Sequence, residues 1–406
     1  MRNMVKNTDS KPMALHGLKV VELGQLIAGP FAAKLLGEFG AEIVKIEPPN
    51  VGDPLRKWRK LENGTSLWWH VQSRHKKSVT LDLKTPEGRS ILLKLLGDAD
   101  ILIENFRPGT LENWDMGWEK LHELNPKLIM VRVSGYGQTG PYRDRPGFGI
   151  IGEAMGGLRY LNGEPGLPPV RCGISIGDSL SALYAVIGTL LALNHRNQHG
   201  GKGQCIDVAL YESVFGMMES LVPEYDHFGY IREPSGSALP GIAPTNAYRT
   251  LDGKYVLIGG NGDGIFKRLM TLIGREDLGS AERFAHNDGR AREAGLLDAA
   301  IEEWTMRRNL ADILEDLNRV GVPAGYPYSV ADIVADPHYK ARQMIETINL
   351  PSGKPLKVPA VLPKLSETPG RIGGAGPALG QHTDEVLASI GIDEQTRKHL
   401  RERGII

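Results

Sequence analysis

The sequence predicts an α/β protein with a large doubly wound domain and a smaller second α/β domain. Over the first 140 residues, short apolar runs alternate with segments of helical spacing, the pattern of a parallel sheet flanked by helices. A Gly/Pro-rich stretch interrupts that pattern after residue 231, and 406 residues are too many for one ordinary core.

LKVVELG (18–24) reads as a strand, AGPFAAKLLGEFGA as a helix and EIVKIE (42–47) as the next strand. SVTLDL (78–83), TPEGRSILLKLLGDA and ILIENF (101–106) repeat the unit, and KLIMVRVSGYG (127–137) adds a strand that ends in a glycine loop. The apolar run LSALYAVIGTLLAL (180–193) reads as a buried helix of 14 residues, shorter than a bilayer requires. CIDVALYESVFGMMESL (205–221) is strand then helix, and YVLIGG (255–260) with the helical segments that follow forms the smaller domain. Residues 1–14 are expected to be a disordered lead-in, 15–225 the first part of the large domain, 226–334 the small domain and 335–406 a return to the large one.

Forty-eight basic and 48 acidic residues cancel, and the cations are spread along the chain. That balance disfavours nucleic acid and membrane surfaces as partners. Two cysteines, Cys172 and Cys205, are too few for a disulfide framework, and no C-x-x-C or Cys/His cluster suggests a metal site, so a reducing, cytoplasmic setting is expected. The first glycine turn, GQLIAGP, lacks the third glycine of a dinucleotide fingerprint, which leaves a nicotinamide cofactor unsupported.

The stretch GISIGDSL (173–180) carries two competing chemistries. Its first five residues fit G-x-S-x-G with Ser175 as nucleophile, but LNGEPGLPPVRC leads into it where a hydrolase needs a buried strand. Asp178 reads instead as the N-cap of the following helix, a position held far more often by structural than by catalytic carboxylates.

The segments LKVVELGQLIAGPFAAKLLGEFGAEIVKIE, SVTLDLKTPEG, ENFRPGTLE, SGYGQTGP, GISIGDS, GKGQCIDVALYES and GQHTDEVL, in that order and spacing, resemble the class III CoA-transferase family. The resemblance runs from about Leu15 to the C-terminus. It implies a large domain made from both chain ends, a smaller domain between them, and an interlocked homodimer. It places the nucleophile on Asp178 and the CoA contacts on Ala28, Leu81, Lys84, Asn105, Phe106 and Arg107. Arg56 and Trp58 fall near the thioester end, and Phe148 near the nucleophile. A second carboxylate on the substrate calls for an Arg or a polar pocket, for which Arg145, Arg171 and Glu153 are candidates, each equally suited to a structural ion pair. The CoA thioester is a substrate in this reading; no permanently bound cofactor and no metal are expected.

Departures narrow the expectation. Pro48 and Asn113 stand where family members present CoA-binding arginines, and Phe148–Gly149 where relatives have a Tyr or His followed by an acidic residue. Phe carries no proton, so the alternative of an α-methylacyl-CoA racemase lacks its acid/base pair. The other alternative, a non-catalytic acyl-CoA-binding protein on this fold, leaves Asp178 without a purpose. The segments GFGIIGEAMGGLRYL and PPVRCGISIGDS resemble the branch that moves CoA from succinyl-CoA to dicarboxylic acids such as malate, citramalate or itaconate.

Overall fold

The computed structural model describes residues 12–406, so most of the expected lead-in lies outside the described residues. The chain divides into two compact units. The first comprises the described residues up to Leu158, Cys172–Glu219 and His338–Ile406; the second comprises Arg159–Arg171 and Ser220–Pro337.

The first unit is organised by six strands, β1 (Lys19–Glu22), β2 (Glu42–Glu47), β3 (Lys76–Thr80), β4 (Ile101–Glu104), β5 (Ile129–Ser134) and β6 (Cys205–Ala209). All pair in parallel, in the order β3-β2-β1-β4-β5-β6. Alternate residues serve opposite faces, as a pleated strand requires. On β4, Leu102 enters one core with Val21, Met130 and Leu387, while Ile101 and Ile103 enter the other with Val20, Ile129 and Ala185. Both faces are therefore covered, which explains why these strands read as continuous apolar runs. Helix α1 (Ala28–Glu38) packs on the second face through Ala28, Ala32, Ala33 and Leu36, beside the Ala182, Ala185 and Ala192 side chains of a long helix described below.

A chain of buried charges holds the C-terminal end of β1. The Lys45 ammonium lies 2.8 Å from Glu22, 2.9 Å from Asp53 and 2.7 Å from the Gly24 carbonyl. Burial works against its charge, but Glu22 and Asp53 outweigh it and hold Lys45 above its ordinary value. Lys76 shares Glu22 at 2.8 Å and is pushed down to about 8, mainly by burial. Nearby, the Arg56 guanidinium donates twice to Glu47, each time at 2.8 Å, and stacks 3.7 Å from the Trp69 ring.

The second unit has a three-stranded antiparallel sheet of β7 (Thr245–Arg249), β8 (Tyr255–Gly259) and β9 (Ala324–Gly325), with β8 central. Its core gathers Tyr248, Val256, Phe266, Leu297, Ile301 and Leu317. Segment 159–171, which the sequence reading ran into the large domain, clusters with this unit. The Tyr160 hydroxyl donates to Glu233 at 2.8 Å, and the Gly236 amide to the Gly163 carbonyl at 3.0 Å. These partners lie some 73 residues apart, beyond any local pattern.

Glu47 is held below the usual carboxylate range: burial opposes its charge, but the Arg56 hydrogen bonds and the Lys45 charge prevail. A carboxyl lowered in the fold adds stability above its unfolded value, about 4.5, and loses it as pH falls through the folded value. Glu47→Gln should therefore cost about 3–5 kcal/mol at neutral pH, because Arg56 is left buried and unpaired, and should flatten the acid limb of a plot of Tm against pH. An acid limb as steep as that of the parent protein would refute this account.

Candidate active site

In an open parallel sheet, ligands bind beyond the carboxyl ends of the strands, where the strand order reverses. Here that point lies between β1 and β4. The loops leaving both strands meet there in a cavity of about 170 Å³, lined by Gln25–Ala28 after β1 and Asn105–Pro108 after β4. Val133 and Ser134 at the end of β5, Gly135 after it, Leu210 after β6, and Arg145, Gly147, Phe148 and Asp178 complete the wall.

Side chains from elsewhere in the unit fix the β1 loop almost residue by residue. Asn105 accepts from the Gln25 amide at 2.8 Å and donates to the Gln25 carbonyl at 2.9 Å. Leu26 has a left-handed backbone, φ 63°, a costly conformation for a bulky residue. Its amide is received by the Asp53 carboxylate at 3.1 and 3.2 Å. Gln72 donates to the Ile27 carbonyl at 3.1 Å and Lys76 to the Pro30 carbonyl at 2.7 Å. Asp53 is held below the usual carboxylate range because Lys45 and the Leu55 and Leu26 amides outweigh its burial.

Asp178 stands on helix α3 (Ile176–Gln198). The helix starts earlier than expected: Ser175 is its N-cap residue, and Asp178 lies in its first turn. This corrects the reading of Asp178 as the cap; Ile176 and Gly177 already have helical geometry, and the Ser179 hydroxyl closes back on the Ser175 carbonyl at 2.9 Å. At 23 residues the helix is also longer than the 14-residue apolar run, and long and apolar enough in length and composition to cross a bilayer. One face of it is nonetheless built into the first unit: Gly177, Ser181, Ala182, Ala185, Thr189, Ala192, Leu193 and Arg196 are buried at helical spacing. Ser175 does not line the cavity; Asp178 does.

Helix α2 (Gly149–Met155) follows Phe148 and packs beside helix α4 (Leu210–Phe215). Phe148 lines the cavity and is 66 % exposed. The Arg145 guanidinium lies 3.6 Å from the centre of the Tyr142 ring, which meets Tyr136 edge-on at 5.9 Å. Among the cavity's residues Asp178 is the sole carboxylate and Arg107 and Arg145 are the cations; no histidine is present.

A second cavity, about 450 Å³, opens alongside and shares Gln25 and Phe106 with the first. Leu81 and Lys84 line it with Pro48, Asn50 and Trp114. The residues picked from the sequence thus separate into three groups. Asp178, Ala28, Asn105, Phe106, Arg107, Arg145 and Phe148 converge on the first cavity, and Leu81 and Lys84 on the second. Arg56, Trp58, Glu153 and Arg171 line neither: Arg56 is buried on Glu47, Trp58 lies 6.3 Å from the Trp68 ring, Glu153 is buried in α2, and Arg171 belongs to the second unit. Gln25, Leu26 and Leu210 were missed. The signal for Gln25 was its place directly after a strand at the sheet's reversal, which strand order reveals and a glycine fingerprint does not.

Residues 15–383 match the model of CoA-transferase family III. The chain is 48% identical over 397 residues to succinyl-CoA–D-citramalate CoA-transferase of Chloroflexus aurantiacus, covering 97% of this chain and 98% of that one. It is 44% identical to the beta subunit of the succinyl-CoA–L-malate CoA-transferase of the same organism, again over 97% and 98%. A CaiB/BaiF family protein from Brucella suis has a similar crystal structure, with TM-score 0.81 and 36% identity over 94% of this chain and 100% of that one. The chain belongs to CoA-transferase family III.

Proposed function

We propose that this enzyme moves CoA from succinyl-CoA to a C4 or C5 dicarboxylic acid such as malate, citramalate or itaconate, with Asp178 as the covalent relay. The observation that carries the reading is that Asp178 supplies the sole carboxylate among the residues lining a cavity with two arginines at the reversal point of the sheet. The relatives named for citramalate and malate support the choice of acids.

The chemistry needs only a held carboxylate. Exchanging CoA between two carboxylic acids is nearly isoenergetic, so the obstacle is the slow attack of a free carboxylate on a thioester. An oriented protein carboxylate divides the step. An Asp178 oxygen attacks the succinyl carbonyl carbon; the C–S bond breaks and CoA leaves as thiolate, giving a succinyl–aspartyl anhydride. The thiolate then attacks the aspartyl carbonyl, succinate departs, and Asp178 becomes a CoA thioester. The acceptor carboxylate attacks that thioester, releasing thiolate and forming a second anhydride. Thiolate attack on the acceptor carbonyl yields the new acyl-CoA and restores Asp178. Electron pairs balance with no net proton transfer. An anhydride hydrolyses, so the site must also exclude water.

The two cavities divide the substrate in this reading. The smaller holds the thioester and acyl group, and the larger, with Lys84, holds the nucleotide end. Arg145 is the cation suited to the distal carboxylate, since its guanidinium is pre-oriented over Tyr142. Phe148 lacks the proton-carrying group that racemisation requires.

The chain acts as a homodimer in this proposal. Opposite its buried face, α3 exposes Leu183, Ile187, Leu190 and Leu191, an apolar stripe that a second copy would cover. Sedimentation at micromolar concentration should show a dimer; a stable monomer would exclude the assembly.

Incubating the enzyme with succinyl-CoA and a panel of acids should yield new thioesters, identified by mass, with dicarboxylic acids. Turnover of formyl-CoA with oxalate and none with succinyl-CoA would overturn the assignment. Arg145→Ala should raise KM for succinyl-CoA and for the acceptor by roughly 10-fold or more, from the loss of a charge-assisted hydrogen bond, and leave free CoA binding unchanged. Unaltered KM values would remove Arg145 from this role.

A further inference from the structure

We propose that Gly149 is the positioning residue of this active site, and that its missing side chain sets the depth at which the Asp178 carboxylate lies. The inference rests on Asp178 as the nucleophile and extends that reading to the residue behind it.

A Cβ atom built at Gly149 would stand 2.2 Å from one Asp178 carboxylate oxygen and 3.0 Å from its Cγ. The first distance is incompatible with non-bonded contact and the second is tight, so the Asp178 carboxylate occupies space that a Cβ at 149 would fill. The glycine is not needed for its backbone, since its φ lies outside the left-handed region. Gly149 is buried and does not line the cavity, whereas Phe148, which precedes it, and Asp178, whose carboxylate lies against it, both do. The carboxylate therefore lies between the glycine and the substrate space.

The helix behind it has little freedom to withdraw. A Cβ at Gly152 would meet the Leu210 Cβ at 2.8 Å, and one at Gly156 the Val214 Cβ at 2.6 Å, so α2 is already seated against α4. A Cβ at Gly177, in the first turn of α3, would meet the Gly149 carbonyl at 3.3 Å. With both helices in contact, a methyl group at 149 must be accommodated by the Asp178 side chain, which is driven toward the cavity. Misplacing a reacting atom by about 1 Å costs on the order of 100-fold in rate.

The test is Gly149→Ala. Its kcat should fall roughly 100-fold, while the Kd for free CoA, which does not require the carboxylate, stays within about threefold of the parent value. Impaired folding alone would lower the active fraction and leave kcat per active site intact, so kcat is referred to sites titrated with CoA. In a folded variant, kcat within about threefold of the parent would overturn the proposal. Should Gly149→Ala fail to fold, Asp178→Ala combined with it decides, because removing the carboxylate removes the collision. A double variant as stable as Asp178→Ala alone supports the proposal, and one that remains unfolded contradicts it. The stability comparison involves no turnover, so it separates an error about Gly149 from an error about the reaction: a parent enzyme inert toward every thioester would refute the function and leave the geometry standing.

Discussion

The ion pairs that Lys45 makes with Glu22 and Asp53 are the constraint on which the site depends. An ammonium this deeply buried is tolerable only with its partners in place, and removing one typically costs about 3–5 kcal/mol. Lys45 also donates to the Gly24 carbonyl, and Asp53 accepts from the amide of Leu26, whose left-handed backbone is unfavourable by itself. With Asn105 on Gln25, Gln72 on Ile27 and Lys76 on Pro30, the loop after β1 and the start of α1 are held by five side chains from elsewhere in the unit. Desolvated charge thus does here what a glycine-rich fingerprint does in dinucleotide-binding proteins built on a doubly wound sheet: it fixes the backbone at the point where the strand order reverses. The two lysines around Glu22 respond in opposite directions. Lys45, with two carboxylates in contact, stays above its ordinary value, whereas burial lowers Lys76, which has only one.

Strand order turns that rigid loop into a site. Because the sheet reverses between β1 and β4, the chain after these strands turns to opposite faces and leaves a crevice lined by the residues that follow each strand. Helix α3 delivers Asp178 to this crevice from the side. Its alanine-lined face lets it approach α1 closely, and its first turn is held against α2, whose glycines seat it in turn on α4. Catalysis by carboxylate exchange asks little of the protein beyond orientation and dryness, so close packing around one aspartate is an adequate chemical apparatus.

Much of this was legible in the sequence. The β-α-β rhythm of 18–47 and 78–106 gave away the parallel sheet because strands buried on both faces must be apolar throughout, and family resemblance singled out Asp178, which lines the cavity, where its local pattern pointed to a helix cap. The failures share a cause. Resemblance put Arg56 near the thioester; in the fold it is engaged by Glu47 at the end of β2, a pairing that only the three-dimensional structure shows. The helix start at Ile176 was missed because an Asp before an apolar run satisfies the capping rule, and that Asp stands in the first turn, past the observed cap at Ser175. Gly149 was noted as an absence, where relatives have an acidic residue, and only the position of Asp178 against it gives that absence a physical meaning.

The central claim, that Asp178 carries the acyl group and then CoA, is tested most directly by hydroxylamine trapping during turnover with succinyl-CoA, followed by peptide mass mapping. The account predicts a hydroxamate on Asp178 that forms only when the thioester is present. It also predicts that folded Asp178→Asn will neither be labelled nor transfer CoA, while Ser175→Ala does both. An active Asp178→Asn enzyme, with Ser175 bearing the acyl group, would contradict it.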